Sequence, residues 1–225
     1  LQVSEKKNVS CVSRYHLGRN NKGTGGEFMK KLFPEAKYVK EKGGITKSFS
    51  GMRVFSKNGE KEAQDLLQLK LWNYKDLLYG DDILEIIWNS FSTYEMIPLE
   101  NRSIFQKQGY FLEITENQVI IKAETKEGYL NALSTIKQLL EKNENYYLPQ
   151  VEIYDWPSIE YRSLSTTFAW YAGFGRYGFD MQLWGLKEWK QFLNICSDYK
   201  MNQLNMCLYG YWPFSMQEYP EAELK

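Results

Sequence analysis

Gly109-Tyr-Phe-Leu-Glu-Ile-Thr-Glu-Asn-Gln-Val-Ile-Ile-Lys-Ala-Glu-Thr-Lys-Glu-Gly-Tyr-Leu-Asn-Ala-Leu-Ser-Thr-Ile-Lys-Gln-Leu-Leu140 is the stretch that decides the fold class. Its first part alternates, placing Tyr110, Leu112 and Ile114 on one face of a strand. Glu116-Asn117 turns the chain and Gln118 to Ala123 returns it, so a hairpin is predicted. Thr125, with Gly128 three residues on, opens a helix predicted over 127–142. Tyr129, Ala132, Leu133, Ile136, Leu139 and Leu140 recur in it at spacings of three, four and seven, a continuous apolar stripe. Strands covered by such a stripe imply an α+β domain with a mixed sheet.

Towards the N-terminus, Ile83-Leu-Glu-Ile-Ile-Trp88 reads as a buried strand after the turn Gly80-Asp81-Asp82. Glu60 to Trp72 reads as a helix carrying Ala63, Leu66, Leu67, Leu69 and Leu71. Residues 1–50 are the least legible. Gly18 to Gly26 has loop composition, and Lys37 to Lys47 alternates charge about a turn at Gly43-Gly44.

Towards the C-terminus, Pro149 and Pro157 bracket what reads as an extended connector. Tyr161 to Phe168 is a predicted strand and Ala169 to Gly185 a loop. A helix follows over about Leu186 to Lys200, with Trp189, Phe192, Leu193 and Cys196 on one stripe. Gln203 to Tyr209 is the next strand. Strand, helix, strand at this spacing predicts a parallel βαβ unit. One such unit closes no sheet and leaves an open edge.

Composition removes several classes of function. With 28 basic and 28 acidic residues, no net charge draws the chain to nucleic acid or to an anionic membrane. No apolar run is long enough to span a bilayer. His16 is the only histidine, which excludes a two- or three-histidine zinc hydrolase and leaves nucleophile–histidine chemistry to His16 alone. Cys11, Cys196 and Cys207 show no paired spacing, so neither a disulfide framework nor a metal site is predicted. Leu1 is followed by no basic-then-apolar leader, as in a mature or trimmed chain. The sequons Asn8-Val-Ser10 and Asn101-Arg-Ser103 fit glycosylation of a secreted protein, but a motif this short arises easily by chance. Seventeen Tyr, twelve Phe and seven Trp supply core; the same rings also suit sugar C–H faces.

Gly173-Phe-Gly175-Arg-Tyr-Gly178 matches a dinucleotide fingerprint in letters only. The predicted helix begins some eight residues too late to offer its N-terminus to a pyrophosphate, and Phe174 and Tyr177 obstruct backbone approach. A loop is the better reading, and no cofactor is predicted.

The order of these pieces resembles the junction between accessory domain and barrel in the family 20 glycoside hydrolases, which include the β-N-acetylhexosaminidases. The resemblance is carried by Gly109-Tyr-x-Leu-x-Ile, Gly128 with Ala132-Leu-Ser-Thr-Ile-Lys-Gln-Leu-Leu140, Leu148-Pro149, Ile153-x-Asp155-x-Pro157, Tyr161-Arg162, and Tyr199-Lys-Met-Asn202-Gln-Leu-Asn205. It implies a hexosaminidase-type accessory domain over 1–155, zincin-like in topology and without metal. An incomplete (β/α) barrel segment would follow over 156–225. It also implies a glycan or glycoside substrate and a secreted or periplasmic setting. Arg162 would hold sugar hydroxyls; the competing reading pairs it with the carboxylate of Glu160 or Asp155. At the strand ends the implied sugar contacts are Trp170, Tyr171, Tyr209 and Trp212, for which core packing is an equal explanation of the tryptophans.

Two departures stand against a standard hexosaminidase. Arg162 is followed by Ser163-Leu-Ser-Thr-Thr167 where the family has Arg-Gly, and the second strand ends in Cys207-Leu-Tyr-Gly-Tyr-Trp-Pro-Phe214 without the family's histidine. An acid pair on a fourth barrel strand would do the family's chemistry, so no catalytic residue is assigned in this chain. Glu218, Glu221 and Glu223 read as a solvated tail. A non-catalytic carbohydrate-binding or scaffold protein, or part of a related glycosidase such as an α-glucuronidase, is the alternative.

Overall fold

The computed structural model describes residues 32–57, 59–167 and 185–207. In chain order the elements are β1 (Tyr38–Ile45), β2 (Gly51–Ser56), α1 (Glu60–Lys70), β3 (Ile83–Asn89), α2 (Arg102–Gln108), β4 (Tyr110–Ile114), β5 (Gln118–Lys122) and α3 (Lys126–Leu139). A short hairpin of β6 (Glu141–Lys142) and β7 (Tyr146–Tyr147) follows, then β8 (Pro149–Asp155), β9 (Ser163–Thr167), α4 (Leu186–Asp198) and β10 (Gln203–Cys207). Six strands form one sheet in the order β1-β8-β4-β5-β3-β2. Along β1, β8, β4 and β5 each strand is antiparallel to its neighbour, while β5-β3-β2 run parallel, so the sheet is mixed and the fold is α+β.

Alternation puts Leu84, Ile86, Leu112, Ile114, Val119, Ile121, Val151 and Ile153 on a single dry face. Ala63 and Leu67 of α1 and Tyr129, Ala132, Leu133, Ile136 and Leu139 of α3 close over it. Trp88 and Tyr129 stack at 4.3 Å, 7° from parallel, and each has its polar atom satisfied, on the carbonyls of Ala123 and Ala63. The opposite face carries a smaller cluster of Phe91, Ile97, Phe105 and Phe111.

The hairpin and α3 form where the sequence places them. The Thr125 hydroxyl accepts from the Gly128 N–H at 3.1 Å and donates to the Lys107 carbonyl, capping α3 while tying it to the end of α2. A Cβ at Gly128 would lie 2.4 Å from the Gly109 carbonyl oxygen, so glycine is what permits this close approach. α3 ends at Leu139, earlier than its apolar stripe suggests, because Glu141–Lys142 pair with Tyr146–Tyr147.

Two expectations are corrected. Residues 149–155 are no connector: they form β8, an interior strand bonded to both β1 and β4. Pro149 is tolerated because it opens the strand. The charged stretch at 38–45 is strand β1, on the edge, where polar side chains are at home, and its turn residues Gly43 and Gly44 lie at a break in the register. β2 and α2 are further elements that sequence periodicity missed.

β9 and β10 pair in parallel, Ser163 opposite Gln203 through Thr167 opposite Cys207, with α4 between them in sequence. Glu188 reaches back to the Gly185 N–H at 3.0 Å to start α4. Among the described residues no helix is long and apolar enough to cross a membrane.

Candidate functional site

Polar chemistry concentrates where the sheet domain meets the β9–α4–β10 unit. α4 ends in a Schellman motif: the Met201 N–H bonds the Cys196 carbonyl and the Lys200 N–H the Ser197 carbonyl, both at 3.0 Å. That geometry puts Lys200 in the left-handed region at φ 60°, a position that favours glycine and costs another residue roughly 1–2 kcal/mol. The side chain explains the choice. Lys200 Nζ donates to Asp155 Oδ2 at 2.8 Å and to the Tyr110 hydroxyl at 3.0 Å, with both charged side chains more than nine-tenths buried.

Asp155 and Tyr110 face one another across β8 and β4. The phenol also donates to Asp155 at 3.1 Å and shares a 2.5 Å contact with the Thr135 hydroxyl. Burial, then the neighbouring Asp155 charge, pushes the Tyr110 hydroxyl well above its ordinary pKa and keeps it a neutral donor.

A second set of contacts runs the other way. α4 has no basic residue in its last turn. Its carbonyl end is met instead by two lysines of the sheet domain, which complement the helix dipole from outside. Lys70 of α1 donates to the Ser197 carbonyl at 2.8 Å, to the Ser197 hydroxyl at 2.8 Å and to the Ser134 hydroxyl at 2.6 Å. Lys137 of α3 donates to Asp198 Oδ2 at 2.6 Å and lies over the Trp72 ring. Burial pulls the Lys70 ammonium down to about 8, against the attraction of Asp198. Burial likewise outweighs Asp198 at Lys137 and lowers it.

Arg162 stands one residue before β9. Its Nε donates to the Lys200 carbonyl at 2.7 Å, and its Nη1 to Gln108 Oε1 at 2.7 Å and to the carbonyls of Ile159 and Glu160 at 2.9 and 3.3 Å. Its main chain exchanges bonds with Asn202, N–H to Oδ1 at 2.8 Å and carbonyl to N–H at 3.1 Å. The carboxylate of Glu160 is paired with Lys107 and that of Asp155 with Lys200. So the predicted alternative, a contact ion pair with either acid, is replaced by bonds to neutral oxygens. Desolvation lowers the guanidinium pKa, and the more distant Asp155 charge opposes the shift.

The family model for glycosyl hydrolase family 20, domain 2, matches residues 30–156, more than half of the 225-residue chain. The chain belongs to glycosyl hydrolase family 20. Solved structures repeat the fold. An inactive mutant of the exo-β-N-acetylglucosaminidase from Vibrio harveyi superposes with a TM-score of 0.58 at 19% identity, over 79% of this chain and 25% of that one. The β-N-acetylhexosaminidase from Bacteroides fragilis gives 0.56 at 18%, over 79% and 32%. That from Streptomyces coelicolor gives 0.55 at 17%, over 78% and 34%. At such identity the likeness is one of fold, and the chain spans between a quarter and about a third of the length of these relatives.

In this family 20 chain Arg162 is thus a seam residue at the N-terminal end of β9, about 17 Å along the strand from Thr167 at ~3.3 Å per residue. Trp170, Tyr171, Tyr209 and Trp212 lie outside the described residues. Sequence reasoning missed Lys200, Tyr110, Lys137 and Lys70. One signal existed: a lysine, not a glycine, immediately after a helix that must reverse into β10. Among the described residues no group of three His, Cys, Asp or Glu is placed to hold a metal ion.

Proposed function

We propose that the chain is the accessory domain and the first β/α units of a hexosaminidase-like glycoside hydrolase, with the boundary near 155/156. The observation that carries this is the parallel β9–β10 pair with α4 between, placed directly after a family 20 domain match that ends at residue 156. Two features agree with a unit made to be extended. α4 buries none of its own residues, and Leu186, Leu193 and Ile195 remain exposed. The matched relatives are also three to four times longer than the part they share.

On this reading the acid pair that performs glycoside chemistry lies in sequence this chain does not carry. The substrate is a glycan or glycoside, and the setting is secreted or periplasmic. Ligand sites of βα barrels lie beyond the C-terminal ends of the strands. On this reading Trp170 and Tyr171, which follow β9 in sequence, and Tyr209 and Trp212, which follow β10, offer the rings on which sugars would stack. Arg162, at the opposite end of β9, holds the seam.

The test is an assay of the 225-residue chain against chromogenic N-acetylhexosaminides and hexuronides. No turnover is expected. Turnover abolished by substitution of Glu218, Glu221 or Glu223 would contradict the reading, because the chemistry would then reside here.

A further inference from the structure

The hairpin β6–β7 is short but firmly held. Tyr146 exchanges two backbone hydrogen bonds of 2.9 Å with Phe49 and stacks on its ring at 6.2 Å. Its hydroxyl donates to Asp76 Oδ2 at 2.6 Å, and Lys142 Nζ donates to the same oxygen at 2.9 Å. Strand alternation turns Tyr147 to the other side, where its hydroxyl donates to Glu141 Oε2 at 3.2 Å. There a cleft of about 570 Å³ opens between the hairpin and the chain at 45–48. It lies at the Pro149 end of β8, about 20 Å from Asp155 and the seam at ~3.3 Å per residue.

Tyr147 and Ile45 give the cleft its apolar surface. The turn at the hairpin tip adds exposed Asn143, Glu144 and Asn145, and Ser48 adds a hydroxyl. Neither asparagine side chain donates a hydrogen bond among the described residues, although each offers two N–H donors and an acceptor oxygen. Amides beside a tyrosine ring match a sugar, which presents hydroxyls at its rim and C–H groups on its face. One carboxylate and no cation among the lining residues count against phosphates, uronates and other anions. The volume falls in the ~300–1,000 Å³ range of small-molecule sites, room for a short oligosaccharide. We propose that the cleft is a second glycan site, holding a neutral oligosaccharide with one ring on Tyr147 and its hydroxyls on Asn143 and Asn145. The kind of sugar rests on the glycosidase reading; the site itself needs no barrel residue.

The test is calorimetric titration of the folded chain with triacetylchitotriose, with trigalacturonate as the anionic control of equal length. Triacetylchitotriose is expected to bind, and trigalacturonate to bind at least about tenfold more weakly. Tyr147→Ala should weaken binding about tenfold through the lost ring contact. Because Tyr147 also bonds Glu141, the double variant Asn143→Ala/Asn145→Ala is the second. Both residues are exposed, so its melting temperature should hold while affinity falls about tenfold. No binding up to about 10 mM, equal binding of trigalacturonate, or native affinity in the double variant would each overturn the proposal. Native affinity there would put the sugar elsewhere on the chain and leave the glycosidase reading standing. Turnover that depends on Glu218, Glu221 or Glu223 would sink that reading and leave this site untouched.

Discussion

Helix α3 meets the sheet through Tyr129, Ala132, Leu133, Ile136 and Leu139, and meets the last turn of α4 through Ser134, Lys137 and Gln138. The first contact is dry and close-packed, and its energy scales with area removed from water. The second consists of charges and hydroxyls whose desolvation nearly offsets their attraction. The contrast teaches what each is for. The core supplies the stability of the sheet domain. The seam adds little net energy but accepts few geometries, since Lys200, Asp155 and Tyr110 must all be satisfied at once. It sets how β9–α4–β10 sits on the sheet.

The sharpest way to break the comparison is to remove half of a buried pair. Lys200→Met leaves Asp155 buried and uncompensated and should cost about 3–5 kcal/mol of docking, measured by denaturant titration. Adding Asp155→Leu should recover most of it, which a plain packing defect would not allow. In the core, Leu112→Ala should cost about 3 kcal/mol and do so equally in low and high salt, because no charge is involved.

The third prediction concerns pH. Lys70 has a folded pKa of about 8 against 10.5 unfolded, so between these values the unfolded chain binds more protons and stability rises with pH. Below pH 8 the burial cost is present in full. From pH 8 to 9.5 the gain from Lys70 should be about 2 kcal/mol at ~1.4 kcal/mol per unit, and Lys70→Met should remove it, leaving only the rise of the same sign that the lowered Lys137 contributes. Tyr110 and Tyr129, both raised by burial, oppose the gain only above their ordinary value near 10. Smallest is the cap: Thr125→Ala should cost about 1 kcal/mol, seen as a lower melting temperature.

The same contrast explains what sequence reveals. The hairpin at 110–122, α3 and the strand at 83–89 are legible because burial on one face imposes a period of two or 3.6 on apolar residues. β8 is legible only in hindsight: Val151 and Ile153 alternate with Gln150, Glu152 and Tyr154, but flanking prolines mimic a linker. β1 hides because this edge strand buries none of its residues and so shows no apolar face. The seam has no period at all. Lys70, Lys137, Tyr110, Asp155, Arg162 and Lys200 come from six places in the chain, and each alone looks like an ordinary surface or core residue. Arg162 drew attention through family resemblance, which located the residue but not its partners.

Native-state hydrogen exchange, residue by residue, on Lys200→Met beside Leu112→Ala tests the division between core and seam most directly. Leu112→Ala should lower protection throughout the sheet and α3. Lys200→Met should lower it in 186–207 while β4, β5 and α3 keep their native values. Uniform loss of protection in Lys200→Met, with the sheet falling as far as α4, would show that seam and core are one cooperative unit and contradict the account.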